Sequence, residues 1–207
     1  MSDIPTSIIN LPFPKAFTWI LTFHLSNGDR VWDPTHGEAH SWKDYKQQQK
    51  HKGFGLCPTP KLDIVGTDIK SGTDFQNTTF KREFDACFFD PPYIWGLKKT
   101  TDNRDNDYGE YQHTKMSLQT LVKTGFSAIH RALKKNGKLF FKYTDVFSMD
   151  DRCFHFSAEV WGLPPDGFDI IDHYIIQHHH INPRAYQVKD RPCSVNNHTY
   201  ITVMAKQ

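Results

Sequence analysis

The sequence has little of several features that would point to a function class at once. The 207 residues carry a net charge of only +2, so no basic field covers the whole surface, and any attraction for nucleic acid must be local. The four cysteines, Cys57, Cys87, Cys153 and Cys193, lie far apart and form no CxxC pair. This pattern favours isolated reduced thiols in an intracellular, cytoplasmic protein, with nucleoid or nucleus not excluded, over a disulfide framework.

Signals for membranes and export are also missing. The longest apolar run, residues 16–25, contains His24 and is far shorter than the roughly 20 residues that a membrane-spanning helix needs. The first letters, MSDIPTS, include an acid and a proline, so we expect no signal peptide and no membrane anchor. No internal repeat divides the chain, and its length predicts a single α/β domain over residues 1–207.

What the sequence does contain is a series of short apolar runs that end in acids. The runs 30–33, 62–67 and 84–89 are closed by Asp33, Asp68 and Asp90 respectively. Near-continuous apolar runs are typical of strands that are buried on both faces, as in a parallel sheet. Further strands are predicted over 138–143, 168–176 and 199–205, and helices over 13–25, 38–52, 117–133 and 151–162.

The alternation of strands and helices predicts a doubly wound α/β sheet, mostly parallel, with an antiparallel C-terminal strand. Only residues 69–83 separate the second strand from the third. That length is barely one crossover, so we expect the sheet to be reduced at the edge that follows the second strand.

The three strand-ending acids are expected to meet at one edge of the sheet. In open parallel sheets, ligands bind at the carboxyl ends of the strands, near the point where the strand order reverses. A carboxylate such as that of Asp68 can accept two hydrogen bonds from the vicinal hydroxyls of a ribose. An acid in this place can equally cap a following turn, and the sequence leaves both interpretations of Asp68 open.

The tetrapeptide DPPY, residues 90–93, is more specific. Its two prolines cannot continue the preceding strand, and each fixes φ near −65°. The resulting stiff turn holds the Asp90 carboxylate and the neighbouring carbonyls as acceptors for an NH2 group. Tyr93 adds a flat ring on which a planar base can stack.

Four segments in order, DPTHG (33–37), GTD (66–68), FDACFFDPPY (84–93) and LKKNGKLFFK (133–142), carry a family likeness. Together they resemble the class I, Rossmann-like methyltransferases that use S-adenosylmethionine and act on amino nitrogens. The nearest likeness is to a compact bacterial, archaeal and phage group of mostly nucleic-acid enzymes, and it runs from about residue 13 to the end.

The resemblance implies roles for individual residues. The cofactor loop would comprise Asp33, Pro34, Thr35 and Gly37, with Asp68 on the ribose and Asp74 and Phe75 at the adenine. The catalytic motif would be Asp90, Pro91, Pro92 and Tyr93. One departure is plain, because the family pattern usually has a second small residue or glycine two positions after Gly37, and here Ala39 stands there, with His36 and Glu38 flanking the turn.

The implied reaction transfers a methyl group from S-adenosylmethionine to an exocyclic amino nitrogen of a base in DNA or RNA, with adenine N6 or cytosine N4 favoured. Hydrogen bonds from the amine to Asp90 and the Pro91 carbonyl would stabilise the positive charge that develops on nitrogen. No metal is needed. Two alternatives stay open: a protein glutamine N-methyltransferase, which would favour Asn in place of Asp90, and a catalytically weak module that binds cofactor or a partner.

Two loops are candidates for contact with the substrate, residues 94–114 and 178–197. Arg184, Lys189 and Arg191 in the second would overhang the site and meet phosphates, although a solvated loop explains them nearly as well. The adjacent histidines 178–180 point in different directions and do not favour a zinc site. The sequence shows no separate recognition domain, so specificity comes from these loops or from a partner subunit.

Overall fold

The strands and helices alternate along the chain as the sequence predicts. The computed structural model describes residues 7–51, 59–68, 72–91, 115–147, 153–154, 157, 166–178 and 198–207. The helices are α1 (Phe13–His24), α2 (Lys43–His51) and α3 (Lys115–Ala132). The strands are β1 (Ile8–Ile9), β2 (Arg30–Asp33), β3 (Asp63–Gly66), β4 (Phe84–Phe89), β5 (Leu133–Tyr143), β6 (Val146–Phe147), β7 (Cys153–Phe154), β8 (Phe168–Gln177) and β9 (His198–Lys206). Two 3-10 turns, His40–Trp42 and Phe75–Asn77, complete the described elements.

Seven of these strands form one sheet in the order β1-β8-β9-β5-β4-β2-β3. β9 is antiparallel to both of its neighbours, and the other pairs are parallel. The strand order reverses at β2, which lies between β3 and β4. This is the mostly parallel, doubly wound sheet with an antiparallel C-terminal strand that the sequence predicts. Among the described residues no strand lies beyond β3, which fits the expected reduction of this edge.

Helices cover both faces of the sheet, which is why its central strands are apolar on both sides. On one face, α1 packs Phe17 against Phe88, with ring centroids 4.2 Å apart. On the other, α3 packs Phe126 against Phe141 at 5.0 Å. α3 comes so near the sheet that a Cβ at Gly125 would lie 2.5 Å from the Phe89 ring.

Two predictions of secondary structure are wrong in part. Residues 153–154 lie in the predicted helix 151–162, but they form β7 and pair with β6; most of that segment lies outside the described residues. The predicted helix 117–133 ends at Ala132, and β5 begins at once. Within β5, Asn136 has a left-handed backbone conformation with φ 61°. The strand β1 was not predicted, because its two residues are too few to show a periodic apolar pattern.

Candidate active site

The three strand-ending acids do lie at one edge of the sheet, as predicted. Asp33 is the last residue of β2, and Asp68 follows the end of β3 by two positions. Asp90 directly follows β4. β2 pairs in parallel with both β3 and β4, so all three carboxyl ends meet where the strand order reverses. This is the position at which open α/β sheets bind their ligands.

Asp33 organises the loop that follows it. Its side chain is buried, 1% exposed. Oδ1 accepts hydrogen bonds from the Thr35 amide at 3.0 Å and the Thr35 hydroxyl at 3.2 Å. Oδ2 accepts from Trp42 Nε1 at 2.7 Å and lies 3.1 Å from His36 Nδ1. With these partners on both oxygens, the carboxylate holds the loop in shape, and a direct contact with a ligand stays a prediction.

The loop itself makes a tight turn over the end of β3. Gly37 has φ 47° and Ala39 has φ 59°, both in the left-handed region. The backbone amide of Gly37 donates to Asp68 Oδ2 at 3.0 Å. The His36 ring lies against Gly66, where a Cβ would come within 2.4 Å of it. Ala39 thus adopts a conformation that favours glycine, and the turn is made with alanine in that place.

The segment after β3 returns to the same edge. The Thr73 amide donates to the Asp68 carbonyl at 3.1 Å. Asp74 caps the 3-10 turn that follows, because its side chain accepts from the Gln76 amide at 2.9 Å. The Phe75 ring packs edge-on against Phe89, the last residue of β4, with centroids 5.5 Å apart. The structure therefore places Asp74 and Phe75 beside the predicted site, and their contact with an adenine stays a prediction.

Asp90 connects the loop after β2 with the end of β4. Its backbone amide donates to the Thr35 hydroxyl at 3.0 Å, and that hydroxyl lies in turn against Asp33. Its carboxylate Oδ2 lies 2.5 Å from Lys142 Nζ. Pro91 is buried. Pro92 and Tyr93 lie outside the described residues.

Lys142 is a site residue that the sequence analysis missed. Phe89 and Phe141 are register partners on the parallel strands β4 and β5, so Asp90 and Lys142 occupy the next position along each chain. The Lys142 ammonium also lies 4.4 Å from the centroid of the Phe13 ring at the start of α1. A lone cation near the end of the apolar strand LFFKY was the signal that could have revealed it.

A second polar group, also missed, lies beyond β5. Asp145 is 7% exposed and accepts from the Ser157 amide at 2.8 Å and its hydroxyl at 3.1 Å. The Tyr200 hydroxyl lies 3.5 Å from Asp145 Oδ2 and 2.6 Å from His198 Nε2. Burial, followed by the charge of Asp145, raises the pKa of Tyr200, which favours the neutral phenol as a hydrogen-bonding group.

At this edge of the sheet, burial disfavours the thiolate form of Cys87 and the protonated form of His178. Burial, together with the Asp33 carboxylate, raises the pKa of the Cys87 thiol well above its usual range. His178 lies 2.8 Å from the Thr199 hydroxyl through Nε2. Burial lowers the pKa of His178, and the positive charges of Lys142 and His198 lower it further.

Some predicted site residues lie outside the described residues. Besides Pro92 and Tyr93, these are the cations Arg184, Lys189 and Arg191 and the loop 94–114, and their roles stay predictions. His179 and His180, which the sequence does not favour as zinc ligands, also lie outside the described residues. Within the described part of the chain, no group of three or more His, Cys, Asp or Glu is arranged to hold a metal ion. In the same residues, no helix is both long and apolar enough to cross a bilayer.

No protein-family model and no curated protein sequence matches the chain, but solved structures do. TrmN from Thermus thermophilus superimposes with a TM-score of 0.51 and 14% identity over 94% of this chain. The chain spans about half of that protein, 49% of its length. A presumed methyltransferase of Bacillus halodurans C-125 gives 0.50 and 12%, covering 93% of this chain and 98% of the other.

A third neighbour carries a ligand. It is the 1,6-didemethyltoxoflavin-N1-methyltransferase of Burkholderia thailandensis, with bound 1,6-didemethyltoxoflavin and S-adenosylhomocysteine. It matches with a TM-score of 0.51 and 14% identity over 94% of this chain and 78% of its own. The chain has the Rossmann-like methyltransferase fold. At these sequence identities the similarity establishes the fold alone, and the substrates of these neighbours are not assigned to this chain.

Proposed function

We propose that the chain is an S-adenosylmethionine-dependent methyltransferase that acts on an exocyclic amino nitrogen of a base in DNA or RNA, with adenine N6 or cytosine N4 favoured. The observation that carries the proposal is the position of Asp90-Pro91. This acceptor turn ends the central strand β4 and is hydrogen-bonded through Thr35 to the loop that would hold the cofactor.

The residues at the edge suit this cofactor. The methionine end would lie over the turn of residues 34–39, whose left-handed Gly37 and Ala39 bring the backbone close to the sheet. Asp68 is partly exposed, and its carboxylate accepts from the Gly37 amide and so is held beside the loop. A ribose diol would bind there, with the adenine toward Asp74 and Phe75. Asp33 would act indirectly, by fixing the loop.

In the proposed reaction the bound cofactor supplies a methyl group that is already activated on a sulfonium. The chain's own contribution is orientation and charge. The Asp90 carboxylate and the backbone carbonyls of the turn accept hydrogen bonds from the amine, which favours a pyramidal nitrogen whose lone pair is available. They would also stabilise the positive charge that develops on the nitrogen as its bond to the methyl carbon forms and the bond from that carbon to sulfur breaks. The methylated nitrogen would then lose one proton, to Asp90 or to water. A base in a duplex would first have to leave the stack.

The same geometry would serve a protein glutamine. That alternative is less favoured because Asp, rather than Asn, occupies position 90. The nucleic-acid substrate is further supported by the cations Arg184, Lys189 and Arg191, which by their place in the sequence would overhang this edge and contact phosphates. Recognition could also involve a partner subunit.

The cofactor assignment is tested by calorimetry with S-adenosylmethionine. We expect Asp68→Ala to weaken binding by about 1.5–3 kcal/mol, the scale of hydrogen bonds to a charged group. Asp63→Ala is the matched control, because Asp63 begins the same strand and its side chain is 65% exposed beside Arg30. Equal affinity of the Asp68 variant and the wild type would refute the ribose assignment.

The catalytic assignment is tested with a tritiated methyl cofactor and total DNA, RNA and protein, followed by mass spectrometry of nucleosides and amino acids. We expect Asp90→Ala to bind cofactor normally and to lose methyl transfer by at least about a hundredfold, as when one transition-state hydrogen bond is removed. Single-turnover rates that match the wild type would contradict the mechanism. Methylglutamine as the product would favour the alternative substrate.

A further inference from the structure

Resting on the proposed function, we infer that Lys142 is a specificity-determining residue. Together with Asp90 it forms a paired donor and acceptor that recognises an amine beside an unprotonated ring nitrogen. On the Watson–Crick edge of a base, that arrangement belongs to adenine and cytosine. It goes beyond the amine acceptors of the DPPY turn, because it adds a second contact to the neighbouring atom of the same base.

The register of the sheet sets up the pair. β4 and β5 run in parallel, with Phe88 opposite Phe140 and Phe89 opposite Phe141. The next position on each strand therefore holds Asp90 and Lys142, side by side and on the same face. Their side chains are 21% and 19% exposed, so the pair is enclosed by protein and still reachable from the ligand-binding edge.

The lysine is held in a defined direction. Its Nζ lies 2.5 Å from Asp90 Oδ2 and 4.4 Å from the centroid of the Phe13 ring, where the face of the ring attracts a cation. An ammonium carries three N–H donors. It can donate to Asp90 and to an atom of the substrate in the same arrangement.

The bases differ in whether a hydrogen-bond acceptor or a donor adjoins the exocyclic amine. On the Watson–Crick edge, the N6 amine of adenine adjoins the N1 acceptor, and the N4 amine of cytosine adjoins the N3 acceptor. The Asp90 carboxylate would accept from the amine while Lys142 donates to the ring nitrogen. On the Watson–Crick edge of guanine, the N2 amine adjoins an N1–H donor, which would face the Lys142 ammonium. Enzymes that extrude a base read this edge by hydrogen bonds.

Charge adds a second selection. A carboxylate alone would attract a protonated alkylamine, which has no lone pair to accept a methyl group. Lys142 places a positive charge 2.5 Å from that carboxylate and repels such cations. The pair thus favours a neutral, conjugated amine over a lysine side chain or a polyamine.

The test compares the wild type with Lys142→Met, which keeps an unbranched apolar stem, and with Lys142→Arg, which keeps a cationic donor. Binding of S-adenosylhomocysteine is measured first by calorimetry, and we expect it to be unchanged in both variants. DNA and RNA oligonucleotides of random sequence, which contain all four bases, are then incubated with the enzyme and S-adenosylmethionine. After digestion, the methylated nucleosides are identified by mass spectrometry. Wild type should yield N6-methyladenine or N4-methylcytosine. Lys142→Met should reduce the rate by about tenfold or more, as for loss of a charge-assisted hydrogen bond, and Lys142→Arg should restore part of it.

A second measurement isolates the contact. In oligonucleotides that carry 1-deazaadenine, 7-deazaadenine or 3-deazacytosine, the acceptor beside the amine is replaced by carbon. The wild-type rate should be lower on the analogue that lacks the contacted nitrogen than on the natural base. The rate of Lys142→Met should be the same on both. This difference between the two enzymes is the coupling that a double-mutant cycle measures.

The outcomes separate the two proposals. If the wild type binds S-adenosylhomocysteine and yields N2-methylguanine, the inference on Lys142 is overturned, whereas methyl transfer to a base amine stands. If it binds S-adenosylhomocysteine and yields no methylated base, the proposed substrate is overturned together with the inference. A Lys142→Met enzyme with the wild-type rate, or equal losses with the deaza bases in both proteins, overturns it as well. A wild type that binds neither S-adenosylmethionine nor S-adenosylhomocysteine overturns the proposed function itself.

Discussion

At the scale of single residues, the least expected feature is Ala39. It has φ 59° and ψ 27°, a left-handed conformation in which the Cβ of an L-residue costs roughly 1–2 kcal/mol. The surrounding contacts hold it there: the Ala39 amide donates to the His36 carbonyl at 2.8 Å, and its carbonyl accepts from the Trp42 amide at 3.0 Å. The loop therefore stores strain at a position whose backbone conformation favours glycine.

We predict that Ala39→Gly stabilises the protein. Relief of the left-handed strain exceeds the entropic cost of the extra freedom that glycine gives the unfolded chain, which is roughly 0.5–1 kcal/mol. The free energy of unfolding, measured with urea, should therefore rise by up to about 1 kcal/mol. Ala128→Gly in the regular helix α3 is the control and should destabilise by about 1 kcal/mol or more. Unfolding curves that shift in the same direction for both variants would contradict this account.

The residues at the sheet edge show how far sequence reasoning extends. Each acid that follows an apolar run could be placed, because the carboxyl ends of parallel strands share an edge. The bond from Trp42 to Asp33 could not be foreseen, because it depends on how the chain folds back nine residues later. Lys142 was not identified because the sequence alone does not show which strand lies beside its own. Its partner emerges only when β4 and β5 are aligned in register.

At the scale of elements, one hydroxyl joins the two halves of the candidate site. Thr35 lies in the loop after β2, donates to Asp33 Oδ1 at 3.2 Å and accepts from the Asp90 amide at 3.0 Å. A change in the loop would thereby reach Asp90, the first residue of the proposed catalytic turn. Short strands were harder to predict than this edge, because two-residue pairs such as β6 and β7 show no alternation.

We predict that Thr35→Val weakens cofactor affinity and lowers the methyl-transfer rate together. Valine keeps the shape but leaves the Asp90 amide without this acceptor, so stability should fall by about 1–3 kcal/mol. Thr202→Val is the matched control, because that buried hydroxyl also has two partners, Tyr143 and His173. The control should lose comparable stability with normal cofactor affinity. Intact affinity and rate in Thr35→Val would show that the loop and the turn act independently.

At the scale of the whole molecule, burial affects several histidines in the same direction. It lowers the pKa of His24, His130, His173 and His178 below the usual value near 6.5. The unfolded chain therefore binds more protons than the folded chain as pH falls through that range. Their contribution to stability is complete above pH 6.5 and is lost progressively at lower pH.

We predict that the melting temperature falls between pH 7.5 and pH 5. For a chain of this size, each kcal/mol of lost stability corresponds to about 2–4 °C. His178→Gln keeps a polar partner for Thr199 but cannot be protonated, and it should reduce this dependence. His40→Gln, whose side chain is 81% exposed in the wild type, is the control. A melting temperature that rises on acidification, or equal slopes for both variants, would contradict the prediction.

The position of β9 in the sheet has a consequence for how the protein is made. β9 is the last described strand in the chain, yet it lies between β5 and β8 and is bonded to both along most of its length. Until residues 198–206 leave the ribosome, the unit β3-β2-β4-β5 and the unit β8-β1 have no strand to join them. Nascent chains would carry unpaired strand edges on β5 and β8, which are templates for pairing with other chains. Completion of the sheet therefore follows synthesis of β9, and messages truncated before His198 should yield insoluble products.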